Sequence, residues 1–478
     1  MLPDKGLRER TSRPAAAVVK LPLQLSYHYF DALTVTGDLL WVAHFLSNRL
    51  GTIRMEGKLL IKNGTLVAEG KSWQGDVLVA NGKIEAIGES LSADTTTEIF
   101  DAEGCVVTYG LADVHVHLRE PGYSVKETIA TGTRAAAHGG VTTVCSMPNL
   151  QPAPDAPETI GVQQKMIDEQ AVIEVLPYAT ISKGRARREL AEIEALRPLS
   201  VGYSDDGNGI QTEELMRKAM QRIAAVDGII AAHCEDDSLL HAGYIHDGEY
   251  AYRHNHKGIC SESEWGPIKR DVILAEEEKC RYHVCHISTK ESVEIIREAK
   301  SRYENISCET APHYLILCDE DLQEEGRFKM NPPLRAAEDR ATLIEGIKDG
   351  TIEVIATDHA PHTAEEKSRG LKESAMGIVG IECSFALCYT HLVRKGVISI
   401  EKLIALMSEN PRRIFRLGGA LRVGERADIA VFDTREPYRI DTDDFLSMGK
   451  ATPFEGEEVY GRCVLTLFGG EKVWSKNK

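Results

Sequence analysis

Leu111-Ala112-Asp113-Val114-His115-Val116-His117-Leu118-Arg119 is a short apolar run that ends in two histidines one residue apart. Apolar and β-branched residues in this order predict a strand, and a strand's period of two turns His115 and His117 to the same side. Two imidazoles on one side of a strand end can grip one ion. Arg119, two residues beyond His117, is expected on that side too.

Further apolar, β-rich runs follow at Val141–Ser146, Val172–Ala179, Leu199–Ser204, Ile229–Ala232, Tyr282–Cys285, Asn305–Glu309 and Ile352–Thr357. Helical periodicity fills most of the gaps, as in Val125–His138, Thr212–Val226, Lys290–Ser301 and Arg340–Asp349. Strands alternating with helices predict an α/β fold with a parallel sheet, and a set of eight predicts a closed (β/α)8 TIM barrel. An open doubly wound sheet would carry a glycine-rich fingerprint after its first strand, and that fingerprint is missing.

Ligand-type side chains recur where these runs end. His115 and His117 end the first, Asp205 and Asp206 follow the fourth, His233 the fifth, His286 the sixth, and Asp358 and His359 the eighth. Singly, Asp205-Asp206-Gly207 reads as a turn, Asp358 as a helix cap, and each histidine as a satisfied polar residue. Their coincidence outweighs these readings. The C-terminal strand ends of a barrel converge on one mouth, so the pattern predicts a site for zinc or a similar divalent ion. His313, after Ala311-Pro312, reads as structural.

Both flanks have a different texture. Lys58–Lys62, Asp76–Val79 and Lys83–Ile87 are strand-like, and Asn63-Gly64 and Asn81-Gly82 read as hairpin turns. Similar segments return at Asp428–Phe432 and Arg462–Phe468. A small β-sandwich formed from both ends of the chain is expected, from residues 55–110 and 419–478, around a barrel at 111–418. Residues 1–54 lack the order of a secretory signal. They read as an extension outside the fold, or as upstream sequence joined to a start at Met55.

The 478 residues, 42% hydrophobic and 27% charged, have the composition of a soluble globular protein. No apolar run reaches the ~20 residues that span a bilayer. A formal charge of −17 argues against nucleic acid as the main partner. The 11 cysteines include no Cys-x-x-Cys pair. Cys145, Cys285 and Cys308 read as small buried hydrophobes in a reducing cytoplasm.

From Asp113 to Gly122 (Asp-Val-His-Val-His-Leu-Arg-Glu-Pro-Gly) the chain closely resembles dihydroorotases of the amidohydrolase superfamily. The resemblance continues through Met147-Pro148-Asn149, Ser204-Asp205-Asp206-Gly207, His233-Cys234-Glu235-Asp236, His286-Ile287-Ser288, Asn331-Pro332-Pro333-Leu334-Arg335 and Asp358-His359-Ala360-Pro361-His362. It runs from about Met55 to the end and includes Thr452-Pro453-Phe454-Glu455-Gly456. It implies that His115, His117 and Asp358 hold the more buried zinc, that His233 and His286 hold a second, and that Asp206 bridges them, with one or two zinc ions per subunit. Many relatives bridge with a carboxylated lysine, but Val201–Asp206 has none. This points to the aspartate-bridged type I branch and away from allantoinase, dihydropyrimidinase and hydantoinase.

The resemblance further implies reversible cyclisation of N-carbamoyl-L-aspartate to (S)-dihydroorotate and water in de novo pyrimidine (UMP) biosynthesis. Metal-activated hydroxide would attack, with Asp358 as general base and acid. Arg119, whose planar fork suits a carboxylate, would be joined by Asn149 and His362 in a clamp on the substrate, and Asn331 would contact the ring. A small-molecule substrate, no membrane or nucleic-acid partner, and compatibility with a homodimer complete the expectation. The contrary readings are another cyclic amidohydrolase, or a non-catalytic scaffold, which should have lost ligands. Gly258–Lys269 departs from the usual Gly/Pro-rich segment and holds no expected ligand.

Overall fold

The computed structural model describes residues 57–476. The expectation for residues 1–54 lies outside the described residues.

Lys58–Ala68, Lys71–Ala80 and Lys83–Gly88 form an antiparallel meander, with Thr97–Asp101 parallel to the first strand. Asn81 and Gly82 (φ 52° and 75°) make the tight turn between the second and third strands, both left-handed as a type I′ turn requires. Asn63-Gly64 departs from expectation, because the first strand runs straight through it. Ile61 pairs with Val77 and Gly64 with Gly75, so the intervening residues form a bulge, with Asn63 N–H donating to Asp76 Oδ1 at 2.8 Å. The cause lies beyond the dipeptide. Thr65 and Leu66 find parallel partners in Val106 and Val107, and the chain reverses only at Glu69-Gly70.

Cys105–Tyr109 pairs antiparallel with Ile429–Asp433, which pairs in turn with Arg462–Phe468 and through it with Glu471–Ser475. The two flanks therefore share one eight-stranded sheet. Leu66, Val77, Val107, Ile429, Val431 and Leu465 form its buried core.

The intervening chain is α/β. Leu111–Val116, Val141–Ser146 and Glu174–Pro177 are joined by parallel ladders. Ala179 bridges in parallel to Tyr203, and Tyr203 to Ile230. Ile229–Ala232, Arg281–Val284, Ile306–Thr310 and Val354–Ile355 continue in parallel. Val116 then bridges to His359, so the pairings return to the first strand. The run expected as a fourth strand is reduced to bridges at Tyr203. Its neighbour ends at Pro177, which has no N–H to extend a ladder, although Tyr203 N–H still donates to Ile229 O at 2.9 Å and Ala231 N–H to Tyr203 O at 2.9 Å.

Helices begin where side chains cap them. Thr128, Thr212 and Thr289 each accept the N–H three residues on, opening Ile129–His138, Glu213–Ala225 and Lys290–Arg302. Apolar faces such as Leu215, Met216, Ala219, Met220 and Ile223 turn inward. Val114, Cys145, Ala231, Cys285, Val354 and Phe415 pack in a separate buried cluster. All 11 cysteines are free, and all but Cys260 are buried. Among the described residues no helix is long and apolar enough to cross a membrane.

Candidate metal centre

The strand ends bring His115, His117, Asp206, His233, His286 and Asp358 together, all buried. His115 Nε2 lies 3.4 Å from both Asp206 Oδ1 and Asp358 Oδ1. His117 Nε2 lies 3.1 Å from Asp358 Oδ1 and 3.6 Å from Asp206 Oδ2. Asp206 Oδ1 is also 3.5 Å from His286 Nε2 and 3.6 Å from His233 Nδ1. Zinc bonds of about 2.0–2.2 Å in a tetrahedron separate neighbouring ligand atoms by about 3.3–3.6 Å, the spacing found around Asp206. His115 Nε2, His117 Nδ1, Asp206 Oδ1 and His233 Nε2 are buried with no hydrogen-bond partner. Ligand atoms of His115, His117 and Asp358, and those of His115, Asp206 and His286, lie within 4.8 Å of one another. The residues fit a divalent cation.

Electrostatics point the same way. Burial opposes the charge on Asp206, yet the facing His115, His233 and His286 hold its carboxyl well below the usual range. Against burial, Asp358, Glu309 and Asp206 raise His115 well above its ordinary value, and Asp206 and Glu235 raise His233 to about 10. Burial, followed by Arg119, pushes His117 well down. Burial also pushes Asp358 up to about 8, with His115 opposing and Asp206 adding to the rise. The carboxylates draw positive charge to this spot, which a dication would supply.

Adjacent in sequence, Asp205 and Asp206 part in space. Asp205 Oδ1 accepts from Ile181 N–H at 2.9 Å and Ser182 N–H at 3.1 Å, and Oδ2 accepts from the Ser182 hydroxyl. Asp205 thus braces a loop, leaving Asp206 to face the histidines. His359 also turns away, its Nδ1 accepting from Gly380 N–H at 3.3 Å. The chain bends sharply at the site: Arg119, His286 and Asp358 have φ of 62°, 35° and 47°. Left-handed non-glycine residues of this kind are strained and cluster where geometry serves function.

Arg119 reaches the site by such a bend rather than by strand alternation, since the strand stops at Val116. Its Nε donates to Pro361 O at 3.1 Å, and Nη2 lies 3.3 Å from His362 Nε2. His362 Nε2 is 2.9 Å from Met376 O, and Nδ1 is 3.2 Å from Lys126 Nζ and 3.3 Å from Glu366 Oε2; a proton on Nε2 satisfies the shortest of these contacts and lets Nδ1 accept from Lys126. Burial, Arg119 and Lys126 together lower His362 to about 3, keeping the ring neutral. Two N–H-bearing groups then stand side by side, an arrangement that a carboxylate between them would relieve. Asn149 Nδ2 donates to Asp206 O at 2.9 Å, and Asn331 Nδ2 donates to Glu235 Oε1 at 3.0 Å. Each leaves a buried side-chain oxygen without a partner.

Sequence reasoning passed over Glu309, which ends the seventh run. Its Oε1 accepts from His115 Nδ1 at 2.6 Å and from His286 N–H at 3.3 Å, and its Oε2 faces His283 Nε2 at 3.1 Å. A proton fixed on His115 Nδ1 leaves Nε2 free to ligate. Glu264, inside the divergent segment, was missed as well. It accepts from Ser288 and Thr289 N–H at 3.0 and 3.1 Å and so anchors the turn after His286. A carboxylate closing an apolar strand was the available signal for Glu309, whereas nothing in the local pattern marks Glu264. Glu309→Gln is expected to weaken divalent-metal affinity about 10–100-fold, the scale for losing the partner that orients a ligating histidine, which competition with a chromophoric chelator would measure.

Residues 104–292 match the family model described as dihydro-orotase-like. A dihydroorotase of Bacillus cereus (strain B4264) is 47% identical over 421 residues, covering 87% of this chain and 98% of the relative. One from Geobacillus sp. (strain WCH70) is 49% identical over 391 residues, covering 81% and 92%. Among solved structures, L-hydantoinase (dihydropyrimidinase) from Arthrobacter aurescens superposes with a TM-score of 0.78 at 26% identity, covering 89% of this chain and 97% of that one. Dihydropyrimidinase from Brevibacillus agri NCHU1002 gives 0.77 at 25% identity, covering 87% and 95%. These structures have the general architecture of cyclic amidohydrolases, while the sequence relatives narrow the kinship. The chain belongs to the dihydroorotase family.

Proposed function

We propose that this protein is a zinc-dependent dihydroorotase that interconverts N-carbamoyl-L-aspartate with (S)-dihydroorotate and water, in the cytoplasm, as a step of de novo pyrimidine biosynthesis. Its frame would be a (β/α)8 barrel at 111–418 with a small β-sandwich from 55–110 and 419–478. The observation that carries the reading is Asp206, whose carboxylate faces four histidines beside the Arg119–His362 pair.

His115, His117 and Asp358 would hold one zinc and His233 and His286 a second, with Asp206 shared. A cation so held supplies Lewis acidity and lowers the pKa of water from 15.7 towards ~7. Asp358 would accept the proton of the attacking water and deliver it to the departing ring nitrogen, in reverse order for cyclisation. Arg119, Asn149 and His362 would hold the substrate carboxylate, and Asn331 the ring. Glu309 would keep His115 in its ligating tautomer.

Acting on hydantoins or dihydropyrimidines is the second reading, favoured by the structural neighbours. Val201–Asp206 offers no lysine for a carboxylated bridge, and the 47% identical relatives weigh against it. Assay of the purified zinc-loaded protein on dihydroorotate, dihydrouracil, hydantoin and allantoin decides between them. Turnover of dihydroorotate far above the others is expected; preference for an uncharged ring would reject the proposal. Arg119→Ala should lower kcat/KM for dihydroorotate at least about 100-fold, since two charge-assisted bonds at about 1.5–3 kcal/mol each are lost. Metal content should stay unchanged.

A further inference from the structure

Lys367 lies at the end of the short helix Ala364–Lys367 and is only 8% exposed. Its ammonium donates to Gly377 O at 2.7 Å, Ala375 O at 2.8 Å and Lys329 O at 3.2 Å. All three protons are thus directed at backbone carbonyls rather than at a carboxylate. Burial, and after it the nearby Lys329 ammonium, lower its pKa to about 7, with Glu366 opposing. Such a charge is costly to bury, so what it ties together is informative.

Its three acceptors belong to two stretches of chain, and each leads to a residue assigned to the substrate. Lys329 lies two residues before Asn331. Gly377 follows Met376, whose carbonyl fixes His362, and His362 adjoins Arg119. Gly377 N–H also donates to Lys329 O at 3.0 Å, and Ala360 N–H to Ile378 O at 3.0 Å. Gly377 has φ 152°, and a Cβ there would fall 2.4 Å from Ala360 O and 2.8 Å from His362 Cδ2. These segments are in tight contact, so a displacement of one would press on the others.

We propose that Lys367 is a positioning residue for substrate specificity: it locks the Asn331 segment to the His362 segment and thereby sets the span of the clamp that receives the carboxylated ring. This rests on the substrate reading above. No metal-ligating side chain is among its partners, so its loss should loosen substrate binding and spare the metal centre.

Lys367→Met keeps the apolar stem and removes all three donors, while Lys367→Gln keeps two donors on a shorter arm. Both are compared with wild type for kcat and KM in each direction, for zinc content, and for inhibition by acetohydroxamate, a metal-seeking probe without a carboxylate. KM is expected to rise about 10–100-fold in the Met variant, the scale that follows from misplacing binding groups by about 1 Å. The Gln variant should fall between, with kcat, zinc content and hydroxamate inhibition within about threefold of wild type, the signature of lost uniform binding. Unchanged KM, or kcat and zinc content falling together, would overturn the proposal, as would failure of both variants to fold. Wild-type protein inactive on dihydroorotate would instead overturn the substrate reading itself, and this proposal with it.

Discussion

Asp358→Asn is expected to lower turnover of both dihydroorotate and N-carbamoyl-L-aspartate by about 10,000-fold, the upper end of what a positioned proton carrier contributes. The side chain is buried with Oδ1 3.1 Å from His117 Nε2 and 3.4 Å from His115 Nε2, within reach of both rings. Asparagine has the same shape and readily adopts the left-handed backbone found here, φ 47°. Asp113, which accepts from Thr357 N–H at 3.2 Å and from the Thr357 hydroxyl at 2.5 Å, still fixes the adjoining strand. The substitution therefore removes a proton site without reshaping the chain. Both directions should suffer equally, because the same group serves each in reverse order. Initial rates in each direction, with zinc content measured alongside, check this. Residual activity above about one-hundredth of wild type would place the proton elsewhere, since even a modest carrier contributes about 100-fold.

Asp206→Asn should act on the metal first. Its Oδ1 faces His115, His233 and His286 within 3.4–3.6 Å, and its Oδ2 faces His117 at 3.6 Å. An amide there keeps the volume and loses the negative charge these rings surround. Zinc retention after dialysis should fall by more than the about 10–100-fold that loss of an outer-shell partner costs, and turnover with it. Asp205→Asn is the internal control. Its partners are Ile181, Ser182 and no histidine, so zinc should remain bound. Elemental analysis of the two variants reads the difference, and equal zinc content would remove Asp206 from its bridging role.

Much of this was visible in the order of residues, for a definite reason. A parallel strand leaves its polar residues at one end, so His115, His233 and His286 could be placed by noting where apolar runs stop. The same logic failed where function depends on direction rather than position. Asp205 and Asp206 occupy the same strand end, and only the Ser182 loop distinguishes them. Arg119 was expected beside His117 by alternation, but a left-handed turn delivers it. Asn63-Gly64 and Asn81-Gly82 are the same dipeptide. One closes a hairpin and the other bulges within a strand, because Val106 and Val107 pair with the residues beyond it. Glu264, Glu309 and, through Lys329, Lys367 act through contacts distant in sequence, which no local pattern encodes.

The most direct test is to strip the purified protein of metal with a chelator and return zinc stepwise while following dihydroorotate hydrolysis. Activity should vanish on stripping and return in proportion to zinc, reaching its plateau at one or two ions per chain. Full turnover by metal-free protein, or zinc uptake that restores none, would contradict a centre assembled from these six strand-end side chains.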